Sequence, residues 1–204
     1  ILHTTADLGR AKCLSAQETM ETVNPDVTVI PHQLRLTSAN VLDVIADYDV
    51  VVDGADNFPT RYLANDACVL SGKPLSHAGI LRFEGHVTTI LPGRGPCYRC
   101  LYPEPPPPGL VPSCQEAGIL GAIAGIIGSI QAAEVLKLLL GIGDPLAGRL
   151  LVFDGLDMAF RTIELPRRPD CPVCGDRPTI TAPIDYEEFC RLRGGTTLQS
   201  EVHP

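Results

Sequence analysis

A short hydrophobic run that ends in a polar cluster constrains this chain most strongly. Residues 50–52 are three consecutive valines with no polar residue to face water. Such a run is typical of a strand that is buried on both faces of a parallel sheet. The polar cluster DGADN follows at 53–57, where open α/β sheets bind their ligands. Asp56 and Asn57 are therefore candidate ligand-binding residues, and they are equally suited to cap a helix over Phe58–Ser71.

Helix-like and strand-like segments alternate on both sides of this run. The spacing of apolar residues predicts helices at Gly9–Val23, at Ser38–Ala46 with Ser38 as its cap, at Phe58–Ser71 and at Glu116–Leu140. It predicts further strands at Val27–Pro31, Lys73–Gly79, Phe83–Leu91, Leu150–Asp154 and Ala159–Leu165. This order indicates an α/β fold with a doubly wound, mostly parallel, Rossmann-like sheet and an antiparallel extension.

The long apolar segment Glu116–Leu140 is predicted to be a buried core helix. Polar residues at 131, 134 and 137 interrupt it too often for a membrane span. Its glycines would let another backbone approach closely.

Composition restricts the classes of partner. The 204 residues carry a net charge of −8, which argues against nucleic acid and anionic membranes. Residues 1–10 lack the basic start and apolar stretch of a signal peptide, so we expect a cytoplasmic protein. The polar tail 176–204 is predicted to be a linker.

Four of the eight cysteines form two Cys-x-x-Cys pairs, Cys97/Cys100 and Cys171/Cys174. Two such pairs can supply the four thiolates of a structural zinc site, which would join two distant segments. Redox or disulfide chemistry is the alternative, although cytosolic thiols stay reduced.

Two other residues are ambiguous when they are considered singly. Lys12 lies in the first turn of a predicted helix, where a cation is disfavoured, but an exposed, solvated lysine is the preferred interpretation of this residue taken alone. Cys114 lies between the proline-rich segment 103–112 and a helix start, where a thiolate would be stabilised. The neighbouring Glu116 would oppose this by raising the pKa of the thiol.

An ordered series of motifs then resembles one family. The series is ADLGRAKCLSA, NPDV, VVVDGADNFPTR, GILRFEGHVT, PCYRC, SCQEAGILGAIAGIIGSIQAAEVLKLL and CPVCG, which covers about Leu2–Gly175. It is similar to the MoeB/ThiF family of ubiquitin-activating-type adenylyltransferases. The resemblance implies ATP-dependent adenylation of the C-terminal glycine of a ubiquitin-like sulfur carrier of the MoaD/ThiS type, followed by thiocarboxylate formation. It leaves open which carrier and pathway, such as molybdopterin or thiamine biosynthesis, is served.

The resemblance also implies roles for particular residues. Asp56 matches the family's Mg²⁺ ligand, and Lys12 matches the lysine that neutralises the reacting phosphate. Asn57 and Arg61 would support the nucleotide and the carrier tail. Cys114 matches a cysteine that is a nucleophile in some members and dispensable in others. The paired cysteines match a structural zinc site, and a homodimer is expected.

The family's Gly-x-Gly-Gly-x-Gly ATP loop does not occur in these residues. We expect it about seventy residues upstream, the usual length of two βα units, which makes residues 1–175 the C-terminal part of an adenylation domain. The alternative is a non-catalytic, zinc-stapled module that docks a ubiquitin-like partner or a full-length subunit. An NAD-dependent oxidoreductase would need a dinucleotide fingerprint, which this sequence lacks.

Overall fold

The computed structural model describes residues 2–107 and 118–193. The chain divides into two compact units, residues 1–36 and residues 37–204. Each unit is described by itself.

The N-terminal unit is built on one helix, α1 (Lys12–Val23), which follows a 3-10 turn at Thr5–Asp7. The predicted helix is present, but it begins at Lys12 rather than at Gly9, which has a left-handed φ of 82°. The predicted strand Val27–Pro31 is wrong, because these residues form no strand. A strand needs a hydrogen-bonded partner, and no described strand pairs with this segment.

The second unit contains five strands and five helices within the described residues. The strands are β1 (Val51–Asp53), β2 (Leu75–Leu81), β3 (Glu84–Ile90), β4 (Arg149–Asp154) and β5 (Ala159–Glu164). The helices are α2 (Val41–Ile45), α3 (Phe58–Ser71), α4 (Tyr98–Leu101), α5 (Gly121–Leu140) and α6 (Tyr186–Arg193).

The strands form one mixed sheet in the order β1-β2-β3-β4-β5. Only β1 and β2 are parallel, and every later pair is antiparallel. The expected antiparallel extension is confirmed and the sheet is mixed, but the described strands are not mostly parallel as predicted, because only one of their four pairings is parallel. Two residues join β2 to β3 and four join β4 to β5, and links this short permit only antiparallel pairing. Since β1 lies at the edge of this sheet, Val52 is 52% exposed instead of buried.

Helix α3 matches its predicted bounds because both of its ends carry strong local signals. The Asn57 side chain accepts a hydrogen bond from the Thr60 backbone N–H at 2.9 Å, which is an N-cap interaction. Gly72 ends the helix with a left-handed φ of 72°. The shorter helix α2 begins at Val41, with Asn40 at the cap position in place of Ser38.

Helix α5 lies across β2 and β3 through one stripe of side chains. Its buried residues are Ile123, Ile127, Gln131 and Glu134. The helix glycines have no neighbour within 4 Å of a built Cβ, so the expected close approach of a second backbone does not occur among the described residues. The helix is long and apolar enough to cross a membrane, contrary to our expectation from composition. Its hydrogen bonds to the sheet identify it instead as a helix that covers the sheet.

Helix α6 lies in the segment that was predicted to be a polar linker. The Tyr186 hydroxyl, at the start of this helix, donates to the carboxylate of Asp66 in α3 at 2.9 Å. The ring of Phe189 packs edge-on against Tyr62, with 5.2 Å between the ring centroids. This part of the tail is thereby anchored on α3.

Candidate functional site

An open cavity of about 110 Å³ lies where β1 and β2 end. Its lining includes Asp53, Asp56 and Arg61 from the β1–α3 region, Gly79 and Ile80 from β2, and Gln131 from α5. A parallel βαβ unit is expected to offer its ligand site at this edge. The structure therefore brings Asp56, Asn57 and Arg61 together, as the sequence predicted, while their chemical roles remain predictions.

The Asp56 carboxylate is exposed at the rim of the cavity. It accepts a hydrogen bond from the Asn57 amide at 3.3 Å, and Asn57 at the same time caps α3. Asn57 therefore caps the helix while Asp56 lines the cavity, and the two interpretations are compatible. A carboxylate that still faces solvent is free to ligate a hard cation such as Mg²⁺.

Arg61 fixes the loop that carries Asp56. Its Nε and Nη2 atoms donate to the backbone carbonyl of Ala55 at 3.2 and 3.0 Å. Ala55 immediately precedes Asp56, so this bidentate contact sets where the carboxylate lies. Ala55 is also held by Asp53, whose Oδ1 accepts from the Ala55 N–H at 2.8 Å.

Sequence reasoning missed the buried polar groups beneath the cavity. The Gln131 amide donates to the carbonyls of Asp53 at 3.0 Å and Ser76 at 3.1 Å, which ties the end of β1 to the first residues of β2. His77 Nδ1 lies 2.7 Å from Asp53 Oδ2, and both side chains are almost fully buried. A polar residue within the apolar helix and a histidine within a strand were the available signals in the sequence.

The second candidate site is formed by Cys97, Cys100, Cys171 and Cys174. Their four sulfur atoms all lie within 4.8 Å of one another, with 3.6 Å between Cys97 and Cys171 and 3.4 Å between Cys100 and Cys174. Tetrahedral zinc thiolate geometry places sulfurs about 3.8 Å apart, so the set fits one metal ion. The same distances exceed the disulfide bond length of about 2.05 Å.

Two of these thiols, Cys100 and Cys171, have a lowered pKa within the cluster. Hydrogen bonds with Cys171 and Cys174 lower the pKa of the Cys100 thiol. The backbone N–H of Arg168 also donates to its sulfur at 3.4 Å. Both interactions favour the thiolate, which is the form that binds a metal.

The other two predicted site residues are placed differently. Lys12 is exposed and is the first residue of α1 in the N-terminal unit, whereas Asp56 belongs to the second unit. Cys114 lies outside the described residues, so its role stays a prediction.

Comparison with known proteins identifies the relatives of this chain. The profile of the ThiF family matches residues 1–173. The chain is 54% identical to the sulfur carrier protein adenylyltransferase of Thermus thermophilus over 95% of its own length and 73% of that protein. It is 49% identical to the SAMP-activating enzyme E1 of Haloferax volcanii over 94% of the chain and 71% of the relative. It is 50% identical to adenylyltransferase and sulfurtransferase MOCS3 of Sus scrofa over 93% of the chain, and there it spans only 42% of the relative.

Solved structures agree at the level of the fold. The structure of Escherichia coli MccB with MccA-N7isoASN superposes with a TM-score of 0.71 at 18% identity, covering 86% of this chain and 55% of MccB. MccB with ATP gives a TM-score of 0.69 at 20% identity, covering 86% of this chain and 53% of MccB. The profile match over residues 1–173 and the 54% identity to the Thermus relative show that the chain belongs to the ThiF family.

Proposed function

We propose that this domain adenylates the C-terminal glycine of a ubiquitin-like sulfur carrier with ATP. The carrier carboxylate would attack the α-phosphate and release pyrophosphate, which leaves an acyl-adenylate ready for thiocarboxylate formation. The observation that carries the proposal is the exposed Asp56 carboxylate at the rim of the cavity, next to the Ala55 carbonyl that Arg61 binds. The names of the Thermus and Haloferax relatives support the same activity.

The residues at the cavity suit the charges of this reaction. Asp56 offers a hard oxygen ligand for Mg²⁺, and bound Mg²⁺ would offset the negative charge of the phosphates. Asn57 and Arg61 hold the Asp56 loop in place before substrate arrives, which lowers the cost of reorganisation during the reaction. Lys12 is proposed to neutralise the reacting phosphate.

We further propose that the four-cysteine cluster binds a structural zinc ion. Cys97 immediately precedes the short helix α4, Cys100 lies within it, and the other pair lies after β5. One ion would therefore join two segments of the chain that are 74 residues apart. Four thiolates leave no open coordination position, which is typical of structural and not catalytic zinc.

A homodimer is the expected assembly. Three leucines near the end of α5, Leu136, Leu139 and Leu140, are 55–64% exposed. Apolar surface of this kind supports a subunit contact, and size-exclusion chromatography with light scattering would measure it.

The test of the proposed activity is ATP–pyrophosphate exchange that depends on a carrier protein. It uses the protein extended by the family's glycine-rich segment, with Mg²⁺ present. Asp56→Ala should reduce exchange at least about a hundredfold, the scale for removing an electrostatic stabiliser, while the melting temperature stays unchanged. Asp49→Ala is the matched control, because Asp49 is also exposed but lies before β1.

Two outcomes would contradict the adenylation proposal. If Asp56→Ala keeps most of its exchange activity, Asp56 is not the metal ligand. If the wild-type protein binds the carrier but never exchanges pyrophosphate, the alternative of a non-catalytic docking module is correct.

A further inference from the structure

Arg61, His86 and the bare backbone of Gly79 meet beside the cavity. Gly79 in β2 and His86 in β3 are directly opposite each other in the antiparallel register. A Cβ atom built on Gly79 would overlap Cε1 of His86, and it would lie 2.7 Å from His86 Nε2 and 3.2 Å from Arg61 Nη1. The His86 ring therefore fills the space that a side chain at position 79 would need, next to the guanidinium.

The guanidinium of Arg61 has two separate faces in this arrangement. Nε and Nη2 hold the Ala55 carbonyl, whereas Nη1 points toward the space above Gly79. A shift of the guanidinium on the Gly79 side would consequently be transmitted to Ala55. Asp56, the next residue, would move with it.

His86 is suited to lie against a cation because it is uncharged. Burial, with the charges of His77 and Arg61 acting in the same direction, lowers the pKa of His86 to about 3. The neutral ring therefore does not repel the guanidinium at physiological pH. The ring is supported from behind by His77, with 5.6 Å between the two ring centroids, and Asp53 in turn holds His77.

One of the two ring nitrogens of His86 makes no hydrogen bond within the described residues. His86 Nε2 is buried and has no hydrogen-bond partner among the described residues. Native proteins rarely leave such an atom unpaired without a reason. His86 Nε2 and Arg61 Nη1 both border the space above Gly79, at 2.7 and 3.2 Å from a Cβ atom built there, so the ring and the guanidinium share this space.

We propose that His86 is a positioning residue: packed on Gly79, its ring fixes the Arg61 guanidinium, which through Ala55 fixes the loop that carries Asp56. The consequence for catalysis rests on the adenylation function proposed above. The effect on the loop does not, and it can be measured without any reaction.

The test is a double-mutant cycle on Gly79 and His86. Hydrogen exchange of the backbone amides of residues 53–61 is measured by mass spectrometry on the chain as it stands. Gly79→Ala and His86→Ala should each accelerate exchange about tenfold, within the usual range of coupling between contacting residues. Gly79→Ala should add nothing in the His86→Ala background, because the ring it displaces is absent. His86→Gln, which keeps a neutral polar group, should exchange almost as slowly as the wild type.

Gly128→Ala is the matched control, since a built Cβ there meets nothing within 4 Å. In the extended, active protein, the same His86→Ala change should lower kcat about tenfold and leave KM for ATP within about twofold, as expected for lost positioning. His86→Gln should restore kcat.

Unchanged loop exchange in both single variants would overturn the inference, and so would additive effects in the double variant. Should Gly79→Ala fail to fold, His86→Ala and His86→Gln decide the matter, because they insert no atoms into the sheet. Wild-type protein without exchange activity would refute the proposed function alone, and the loop measurement would still decide this inference.

Discussion

A buried ion pair between α3 and α4 allows a quantitative test of what holds the fold together. Arg99 is 1% exposed and Asp66 is 0% exposed. Arg99 Nε donates to Asp66 Oδ1 at 2.9 Å and Nη2 donates to Oδ2 at 2.8 Å. The hydroxyl of Tyr186 in α6 also donates to Asp66. Asp66→Ala would therefore leave a buried guanidinium without its counter-charge and remove one anchor of α6.

Asp66→Ala should strongly lower the free energy of unfolding, because an unpaired buried charge destabilises the folded state more than an uncharged residue does. Removing one partner of a buried pair costs about 3–5 kcal/mol. For a chain of this size, that loss corresponds to a fall in melting temperature of roughly 6–20 °C. In the double variant Asp66→Val/Arg99→Met both charges are gone, and apolar side chains closer in volume to the original ones replace them. It should regain most of the lost stability, since such replacements are often neutral.

The assay is urea unfolding followed by circular dichroism, with all variants at equal metal content. Asp176→Ala is the control, because its partner Arg167 forms an exposed ion pair at 2.8 Å and little change is expected. A loss below about 1 kcal/mol for Asp66→Ala would place the pair among weak, exposed ones. A double variant no more stable than Asp66→Ala would refute the charge argument.

Three further predictions concern the metal, the unassigned thiol and pH. Metal analysis should find one zinc per chain, and Cys97→Ser should release it and lower the melting temperature; two intact disulfides without metal would contradict this. Cys114→Ala in the extended protein should keep pyrophosphate exchange but slow thiocarboxylate formation, measured by mass spectrometry, and unchanged thiocarboxylate yield would make Cys114 a bystander. The folded-state pKa of His86, about 3, lies below its ordinary value of 6.5, so the unfolded state binds more protons and stability falls as pH drops through that window. His86→Gln should flatten the loss of unfolding free energy between about pH 6 and 4, and an unchanged slope in urea titrations would count against a neutral buried ring.

Local signals in the sequence were sufficient for some elements and insufficient for others. Helix α3 was predicted to the residue because Asn57 and Gly72 mark its ends within the helix's own sequence. The burial of Val52 and the direction of the later strands depend on which strands become neighbours. That information lies in connection lengths and packing, so a run of valines could not specify it.

The residues of the candidate site likewise fall into those that the sequence predicted and those that it could not predict. Asp56, Asn57 and Arg61 lie within one short segment, and the sequence placed them together correctly. Gln131 reaches the Asp53 carbonyl from 78 residues away, and its role depends on how α5 crosses the sheet. The pairing of Gly79 with His86 likewise depends on the register of a hairpin. A glycine whose missing side chain makes room for a neighbour leaves no pattern in the sequence.

The four-cysteine cluster shows how these two kinds of information combine. Spacing alone identified both Cys-x-x-Cys pairs, but it could not show that Arg99, between the first two cysteines, is anchored on α3. Because this ion pair ties the first turn to α3, metal binding has less left to order there. The free energy of metal binding therefore acts mainly to order the second pair, Cys171 and Cys174, and the residues that lead into α6. Loss of the metal should consequently loosen the C-terminal segment first and leave the cavity at Asp56 intact.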